Sequence, residues 1–353
     1  MNTPLHSFSL SPQDKQKYAI LQSVFAAITA DQQAVISGRA LRLEDGSWSV
    51  INERISNEVK WTLHMVMQAP TFELLESLAS QLAHYVEDFT VYVHRCSNWQ
   101  EGRVGFVIAI DDDAAKAIKA SDVLNLLAND FHLEIALLAD APKLAVAGLL
   151  VMDMDSTVIA VECIDEIATL AGVGEKVAEV TERAMQGELD FAQSLVSRVA
   201  CLQGLSVSAL AKVRDQLPLM PGLMRLINEL QSNRWHVAIA SGGFTYFADH
   251  LKQRLGFDEA VANVLTIDSD KLTGEVDGRI VDANVKAETV DDLAERWQIS
   301  TSQTIAMGDG ANDLVMMKRA QLGIAYKAKP IVQAKADSSV RFSGLDTALF
   351  YLR

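Results

Sequence analysis

Apolar and polar positions along this chain follow two different patterns, and the change comes near residue 141. Between residues 61 and 140, short runs with the spacing of strands alternate with longer runs that have the 3.6-residue period of helices. The predicted order is βαββαβ, with strands at 61–69, 89–96, 103–110 and 132–139 and helices at 70–87 and 113–130. This order predicts a ferredoxin-like α+β sandwich.

The pattern that follows a short linker at 141–143 is that of an α/β fold. Residues 144–152 form a continuous apolar run, as expected for a strand buried on both faces of a parallel sheet. Further strands are predicted at 235–240 and 304–307, with helices at 222–231, 244–255 and 287–297. The segment therefore predicts a Rossmann-like parallel-sheet core, in which ligands bind at the carboxyl ends of the strands.

Two segments interrupt this rhythm. Residues 163–217 follow the loop of the first core strand and have an all-helical pattern, which predicts an inserted helical cap. Residues 257–282 combine Gly and Asp with alternating apolar positions and predict a β-hairpin plus one more strand. The predicted domains are thus a ferredoxin-like unit at 61–140 and an α/β unit at 144–353.

The first 60 residues carry the weakest pattern and are assigned no function. Residues 14–30 show helical periodicity, and residues 40–51 favour a short strand pair around the turn-like Asp45-Gly46. We treat residues 1–60 as an N-terminal extension of unclear role.

The composition limits the partners of the protein. A formal net charge of −15 repels nucleic acid and anionic lipid, although a locally positive pocket can still bind a small anion. The three cysteines form no CxxC pair, so neither a disulfide framework nor a zinc site is expected. The chain starts without a signal-peptide pattern, and its most apolar run is too short to span a bilayer. We expect a cytoplasmic protein without nucleic-acid or membrane partners.

Four polar clusters lie beside the predicted elements of the α/β unit. The first contains Asp153 and Asp155, which leave the end of a buried strand two positions apart. Carboxylates this close repel each other unless they share a cation or one holds a proton. Either solution suits a nucleophile with a neighbouring acid or base, although such a pair alone is more often a solvated acidic loop.

The other three clusters are compatible with phosphate and metal binding. The turn at 241–243, Ser-Gly-Gly, offers a hydroxyl and backbone N–H groups, and Lys286 offers a point charge. Each of these two is weak alone, because connecting turns and surface lysines are common. The run GDGAND contains Asp309 and Asp313, hard oxygen ligands of the kind that Mg²⁺ prefers. The ordered set of four clusters predicts a magnesium-dependent site for a phosphate group.

This ordered set resembles the haloacid dehalogenase superfamily of phosphotransferases, and within it the bacterial phosphoserine phosphatases. The resemblance covers about residues 148–350 and includes the segments MDMDSTVIAVECIDEIATLAG, AMQGELDFAQSLVSRVACLQGL, ASGGFTYFADHL, DANVKAETV and AMGDGANDLVMM. It implies Mg²⁺-dependent hydrolysis of phosphoserine to serine and phosphate through a phosphoaspartate, the last step of serine biosynthesis.

The resemblance also implies catalytic and metal-binding roles. Asp153 resembles the nucleophile, and Asp155 resembles the group that acts first as acid and then as base. Mg²⁺ would be held by the Asp153 carboxylate, the Asp155 main-chain carbonyl and Asp309, with Asp313 in support.

Substrate contacts follow from the same resemblance. Ser241, the Gly242 N–H and Lys286 would hold the phosphoryl oxygens, and Asn312 would contact the substrate.

In the cap, Glu162 would meet the substrate ammonium and Arg198 its carboxylate, while Met185 and Phe191 would line the pocket. Arginine suits this role because it grips a carboxylate bidentately.

The βαββαβ segment resembles an ACT-type regulatory domain. Such domains often carry an Asp-x-Pro-Gly-like turn before the first helix, whereas this chain has Gln-Ala-Pro-Thr at residues 68–71, without glycine. The resemblance implies amino-acid binding, homodimerisation or support of the catalytic domain, and the missing glycine speaks against the first.

Two other functions remain open at this point. The protein could hydrolyse another small phosphomonoester such as phosphohomoserine, or transfer phosphate between alcohols. It could also be an amino-acid sensor with a silent phosphatase domain, but a silent site has no physical reason to keep a costly cluster of like charges. An ion pump of the phosphoaspartate type needs membrane helices that the sequence does not predict.

Overall fold

The chain divides into two compact units between Asp140 and Ala141. A computed structural model describes residues 39–44, 47–56, 58–68, 70–86, 88–97 and 103–353. The helix predicted at 14–30 and the turn at Asp45-Gly46 lie outside these residues.

The N-terminal unit contains a six-stranded antiparallel sheet. Its strands are β1 (Arg39–Glu44), β2 (Ser47–Asn52), β3 (Trp61–Gln68), β4 (Phe89–Val93), β5 (Arg103–Ile110) and β6 (Glu134–Ala139). The order across the sheet is β2-β1-β4-β5-β3-β6. The last four strands have the order of a ferredoxin-like sheet, and the predicted strand pair at 40–51 extends this sheet by pairing with β4.

In the described part of this unit, three helices pack on one face of the sheet: α1 (Phe72–Leu82), α2 (Asp112–Ala120) and α3 (Val123–Phe131). The predicted cap of α1 is confirmed, because the Thr71 side chain accepts the N–H of Leu74. The single helix predicted at 113–130 is wrong. Ser121 is extended, and its hydroxyl bonds to Ile118 O and to the N–H of Val123, so that side-chain hydrogen bonds replace a helical turn.

Alternate residues of the strands build the core of the N-terminal unit. Positions two apart on one strand point to the same face of a sheet, and here that face meets the apolar sides of the helices. The buried cluster includes Leu63, Met65 and Met67 of β3, Phe106 and Ile108 of β5, and Phe72, Leu75, Leu78 and Leu127 of the helices. The strand and helix periods read from the sequence thus meet in one core.

The C-terminal unit contains a seven-stranded sheet. Its strands are β7 (Leu149–Met152), β8 (His236–Phe244), β9 (Glu259–Asp268), β10 (Lys271–Asp277), β11 (Thr304–Gly308), β12 (Leu322–Tyr326) and β13 (Ser338–Val340). The order is β10-β9-β8-β7-β11-β12-β13, with β10 antiparallel and the others parallel. The predicted α/β core is confirmed, and β7 is its central strand.

Nine helices accompany this sheet. Four form the inserted cap: α4 (Cys163–Leu170), α5 (Gly174–Met185), α6 (Phe191–Ala200) and α7 (Val207–Arg214). The others are α8 (Leu223–Ser232), α9 (Thr245–Leu255), α10 (Ala283–Arg296), α11 (Leu314–Arg319) and α12 (Pro330–Gln333). The hairpin predicted within 257–282 corresponds to β9 and β10, and β9 also pairs with β8 in the main sheet. The additional strand predicted there is wrong, because residues 278–282 form a loop in which the Val281 N–H donates to the Asn263 side chain instead of to a neighbouring strand.

Three predicted bounds in this unit are wrong. Strand β8 continues to Phe244 rather than ending at residue 240, because it pairs with β9 again after a shift in register. The first core strand begins at Leu149 rather than at residue 144, because Leu144 bonds to Arg353 O and accepts the indole N–H of Trp235 instead of pairing in the sheet. Helix α10 begins at Ala283 rather than at residue 287, because the Asp282 carboxylate caps it by accepting two backbone N–H groups. Lys286 therefore lies within the first turn of α10.

Among the described residues, no helix is both long enough and apolar enough to cross a bilayer.

Gly222, which precedes α8, provides a test of the fold. Its φ is 81°, and a Cβ there would overlap the Asp346 carboxylate and lie 2.8 Å from the Asp346 backbone nitrogen. We expect Gly222→Ala to lower the free energy of unfolding by about 3 kcal/mol, from backbone strain plus overlap. Gly278→Ala is the control, because its φ is 77° but no atom lies within 4 Å of the added Cβ. Urea denaturation should show that the control lowers the free energy of unfolding by only about 1 kcal/mol. Equal losses of stability in the two variants would contradict the close contact between Gly222 and Asp346.

Candidate active site

Three neighbouring strands of the C-terminal sheet bring the predicted clusters together. Asp153 directly follows β7, Asp309 directly follows β11, and the turn at 241–243 forms the end of β8. Because β8, β7 and β11 are adjacent and parallel, these residues meet at the carboxyl edge of the sheet. Clusters far apart in the sequence thereby form one site.

A buried ion-pair network forms the floor of the site. Lys286 is 1% exposed, and its Nζ lies 2.8 Å from Asp153 Oδ2 and 2.7 Å from Asp313 Oδ1. Burial lowers the pKa of Lys286, but the two carboxylates outweigh it, so the pKa is raised and the ammonium stays charged. Asp153 Oδ1 accepts the N–H of Met154 at 2.7 Å. The Asp153 carboxylate is therefore fixed at both oxygens.

Asp153, Asp309 and Asp313 form an acidic cluster. Each offers one carboxylate oxygen, and these three oxygens lie within 4.8 Å of one another. Burial raises the pKa of Asp309 to about 7, with the charge of Asp153 adding to the effect. Burial and Asp153 also raise the pKa of Asp313 to about 6, against the opposing effect of Lys286. One ammonium faces three acids here, and a divalent cation with hard oxygen preferences would offset the excess negative charge. The donor set fits Mg²⁺.

Asp155 has the electrostatics of a proton donor. Burial raises its pKa to about 8, and the charges of Glu162 and Asp153 raise it further in the same direction. Its Oδ2 accepts the N–H of Cys163 at 3.4 Å, whereas the buried Oδ1 has no hydrogen-bond partner among the described residues. A carboxyl that keeps its proton near neutral pH is suited to general acid catalysis.

These groups line a cavity of about 140 Å³ between the sheet edge and the cap. Its wall contains most of the residues proposed from the sequence: Asp153, Asp155, Glu162, Phe191, Arg198, Ser241, Gly242, Asp309 and Asn312. Lys286 and Asp313 lie below this wall, in contact with Asp153 or its network. The cavity has room for a small molecule, and both the sheet edge and the cap contribute to its lining.

The turn at the end of β8 is compact. Ser241 is buried and its Oγ accepts the N–H of Gly243 at 3.0 Å, while Gly242 O accepts the side-chain amide of Asn263. A Cβ on Gly242 would lie 2.8 Å from the ring of Phe191, so only glycine lets the cap approach this turn so closely. Phe191 is the first residue of α6, whose start is fixed by a capping box between Asp190 and Gln193.

Two charged residues of the cap also line the cavity. Glu162 precedes α4, and Arg198 lies in the last turn of α6. Burial lowers the pKa of Arg198, while Asp165, Glu162 and Asp155 act to raise it. Its Nε is buried and has no hydrogen-bond partner among the described residues. Met185 ends α5, and its side chain is not among those described.

Two hydroxyls beside Asp155 make contacts that the sequence did not predict. Ser156 Oγ donates to Glu162 Oε1 at 2.8 Å, and Thr157 Oγ1 donates to Asp309 Oδ1 at 3.2 Å. Both residues belong to the motif MDMDST, so their place in the sequence indicated that they lie near the site. Their spacing does not indicate which carboxylate each hydroxyl contacts. The apolar lining residues Ile164 and Leu195 were also missed, because their helical spacing reads as ordinary core.

A parallel sheet whose strand ends gather a carboxylate pair, a buried lysine and a Gly-rich acidic turn defines a haloacid dehalogenase-like hydrolase. The family described by that name matches residues 148–321. A phosphoserine phosphatase of Vibrio cholerae is 57% identical over 214 residues, which cover 61% of this chain and 65% of that protein, slightly under two thirds of its length.

Solved structures narrow the family further. The crystal structure of a probable phosphoserine phosphatase from Vibrio cholerae, in unliganded form, is similar with a TM-score of 0.68 and 44% identity, covering 84% of this chain and 86% of that one. A phospho-aspartyl intermediate analogue of phosphoserine phosphatase has a TM-score of 0.55 and 40% identity, covering 59% of this chain and 99% of that one. The chain belongs to the phosphoserine phosphatase family of the haloacid dehalogenase superfamily.

Proposed function

We propose that the protein hydrolyses O-phospho-L-serine to L-serine and phosphate, as the last step of serine biosynthesis. The observation that carries the proposal is one small cavity that is lined both by the nucleophile Asp153 at the sheet edge and by a carboxylate and a guanidinium of the cap, Glu162 and Arg198. Phosphoserine has a matching division, with a phosphate at one end and a zwitterion at the other.

Asp153 attacks phosphorus in the first step. The bond between its carboxylate oxygen and phosphorus forms while the bond from phosphorus to the serine oxygen breaks, and Asp155 gives its proton to that oxygen. In the second step a water attacks the phosphoaspartate, Asp155 takes the water proton, and the bond from phosphorus to Asp153 breaks. The raised pKa of Asp155, about 8, supports this double role, because the group holds a proton at neutral pH and can regain it.

The phosphate is held by groups that surround Asp153. Ser241 and the N–H of Gly242 donate to phosphoryl oxygens, and Lys286 offsets their charge from below. Asn312, in the same cavity wall, contacts the substrate. This arrangement fixes the phosphoryl group for attack.

Magnesium is the proposed cofactor. The Asp153 carboxylate, the main-chain carbonyl of Asp155 and Asp309 would hold it, and Asp313 would support them. When bound, the ion offsets the charge of the transferring phosphoryl group. Thr157 keeps Asp309 oriented toward that position through its hydroxyl.

The cap recognises the amino-acid end of the substrate. Glu162 binds the ammonium, and Arg198 pairs with the carboxylate through its guanidinium, whose buried Nε has no hydrogen-bond partner among the residues that the structure describes. Phe191 and Met185 line the cap side of the pocket. The cap thereby distinguishes phosphoserine from phosphates without a zwitterion.

Arg198→Ala tests this assignment. We expect KM for phosphoserine to rise about 30- to 100-fold, because a charge-assisted bidentate contact is lost, while hydrolysis of p-nitrophenyl phosphate changes less than about threefold. Arg183→Ala is the control, since Arg183 lies on the same cap but is exposed and paired with Glu188. Steady-state kinetics on both substrates make the measurement, and equal losses on both would contradict the role of Arg198.

The proposal also covers the N-terminal unit and the cellular location of the protein. We propose that residues 61–140 form an ACT-like domain that supports a homodimer, that residues 144–353 form the phosphatase domain with its cap at 163–217, and that the protein is cytoplasmic. The ferredoxin-like strand order and the unpaired cysteines support these assignments. Phosphoserine is the proposed partner, and neither nucleic acid nor membrane is.

A further inference from the structure

Ser156 adopts a backbone conformation that is unusual for a serine. Its φ is 57°, in the left-handed region, and it lies between the catalytic loop residues Asp155 and Thr157. A side chain makes this conformation unfavourable, whereas glycine adopts it freely. Strain of this kind persists where the surrounding structure compensates for it. The serine side chain therefore has to contribute something that glycine would not.

That contribution is a hydrogen bond across the junction between the catalytic loop and the cap. Ser156 Oγ donates to Glu162 Oε1 at 2.8 Å. Glu162 occupies the N-cap position of α4, but its side chain makes no hydrogen bond to a backbone N–H of the first turn. The carboxylate is instead directed back toward the loop. Among the described residues, its second oxygen accepts no hydrogen bond and remains for a ligand.

The neighbouring hydroxyl has a different target, which separates the two roles. Thr157 is fully buried and donates to Asp309 in the acidic cluster. Ser156 reaches Glu162, which lines the cavity together with Arg198. The two consecutive hydroxyls of one motif thus bond to two different carboxylates of the cavity lining, one in the acidic cluster and one at the start of the cap.

We propose that Ser156 is a positioning residue that sets the amine specificity of the site, by holding the Glu162 carboxylate where it binds the substrate ammonium. This inference rests on the proposed function. Glu162 is exposed and stands at the start of a helix, so without Ser156 its side chain would sample several rotamers and bind an ammonium less well. The hydroxyl pre-organises the carboxylate before the substrate arrives.

Ser156→Gly and Ser156→Ala test the proposal together. Both remove the hydroxyl, but glycine also relieves the backbone strain, so its variant folds at least as well as the wild type. We expect both to raise KM for L-phosphoserine about 3- to 10-fold with kcat within about twofold, because one hydrogen bond to a charged group is lost. Kinetics on p-nitrophenyl phosphate, which has no amine, should not change. Ser206→Ala, a cap hydroxyl bonded only to Ser208, is the control.

A double-mutant cycle identifies the carboxylate through which Ser156 acts. In a Glu162→Gln background, Ser156→Gly should have little further effect on KM for phosphoserine, since the carboxylate it orients is gone. An unchanged KM in the single variants, equal losses on both substrates, or additive effects with Glu162→Gln would each overturn the proposal. If the wild type does not hydrolyse phosphoserine at all, the proposed function fails first and the role of Ser156 fails with it.

Discussion

Lys286→Met is expected to destabilise the folded protein more than almost any other single substitution of a charged residue. The substitution leaves Asp153 and Asp313 buried without the ammonium that lies 2.7–2.8 Å from each. We expect the free energy of unfolding at pH 8 to fall by about 3–5 kcal/mol, because breaking one side of a buried ion pair leaves uncompensated charge. Hydrolysis should be lost as well. Urea denaturation without metal measures the first effect directly.

A half-exposed ion pair supplies the control. Lys252 lies 2.7 Å from Glu259, with side chains that are 33% and 26% exposed, so Lys252→Met should cost at most about 1 kcal/mol. The deficit of Lys286→Met should also shrink at pH 5, because a carboxylate that takes up a proton no longer needs the lost ammonium. Equal losses for the two variants, at both pH values, would show that Lys286 is not the cation of a buried network.

Asp155→Asn should stabilise the metal-free protein and abolish its activity. The folded protein holds the pKa of Asp155 at about 8, far above the ordinary value of 3.8, so the folded state binds more protons than the unfolded state between these values. Stability due to this group is therefore present below about pH 4 and lost as the pH rises toward 8. The amide carries no charge, so at pH 9 the variant should be more stable by about 1–3 kcal/mol.

The same variant should lose about 10³-fold or more in phosphate release, since it can neither protonate the leaving oxygen nor activate water. Asp309 and Asp313, with pKa values of about 7 and 6, make the wild type lose stability over the same pH range. Asp155→Asn should make this loss shallower without removing it. Glu175→Gln, at an exposed position of α5, is the control and should leave the pH dependence unchanged. If the stability of Asp155→Asn depended on pH as steeply as that of the wild type, the raised pKa of Asp155 would be contradicted.

Several elements of the fold were readable because burial leaves a strong pattern. The apolar runs of β7 and β11 predicted strands of a parallel sheet, and the βαββαβ order of residues 61–140 predicted the ferredoxin-like sheet. The break between α2 and α3 was not readable, because Ser121 ends a helix only if its hydroxyl finds local backbone partners. The late start of β7 was missed for a related reason, since long-range bonds from Arg353 and Trp235 hold the preceding apolar residues out of the sheet.

The candidate site was predicted in outline from spacing and resemblance. Parallel strands gather at one edge whatever follows each of them, so Asp153, Ser241 and Asp309 were expected to meet. Their detailed pairing depends on side-chain directions that the sequence does not encode locally. Lys286 reads as an exposed lysine, yet it is buried under two carboxylates. Ser156 reads as a loop serine, and only the structure connects it with Glu162.

The central claim is that Asp153 is the nucleophile of a magnesium-dependent phosphoserine phosphatase. The most direct test is phosphate release from L-phosphoserine by the wild type and Asp153→Asn, each with Mg²⁺ and with EDTA. We predict release only from the wild type with Mg²⁺, and a loss of at least about 10⁴-fold in the variant, because the amide cannot form the phosphoenzyme. Release by Asp153→Asn at a comparable rate, or none from the wild type with Mg²⁺, would contradict the account.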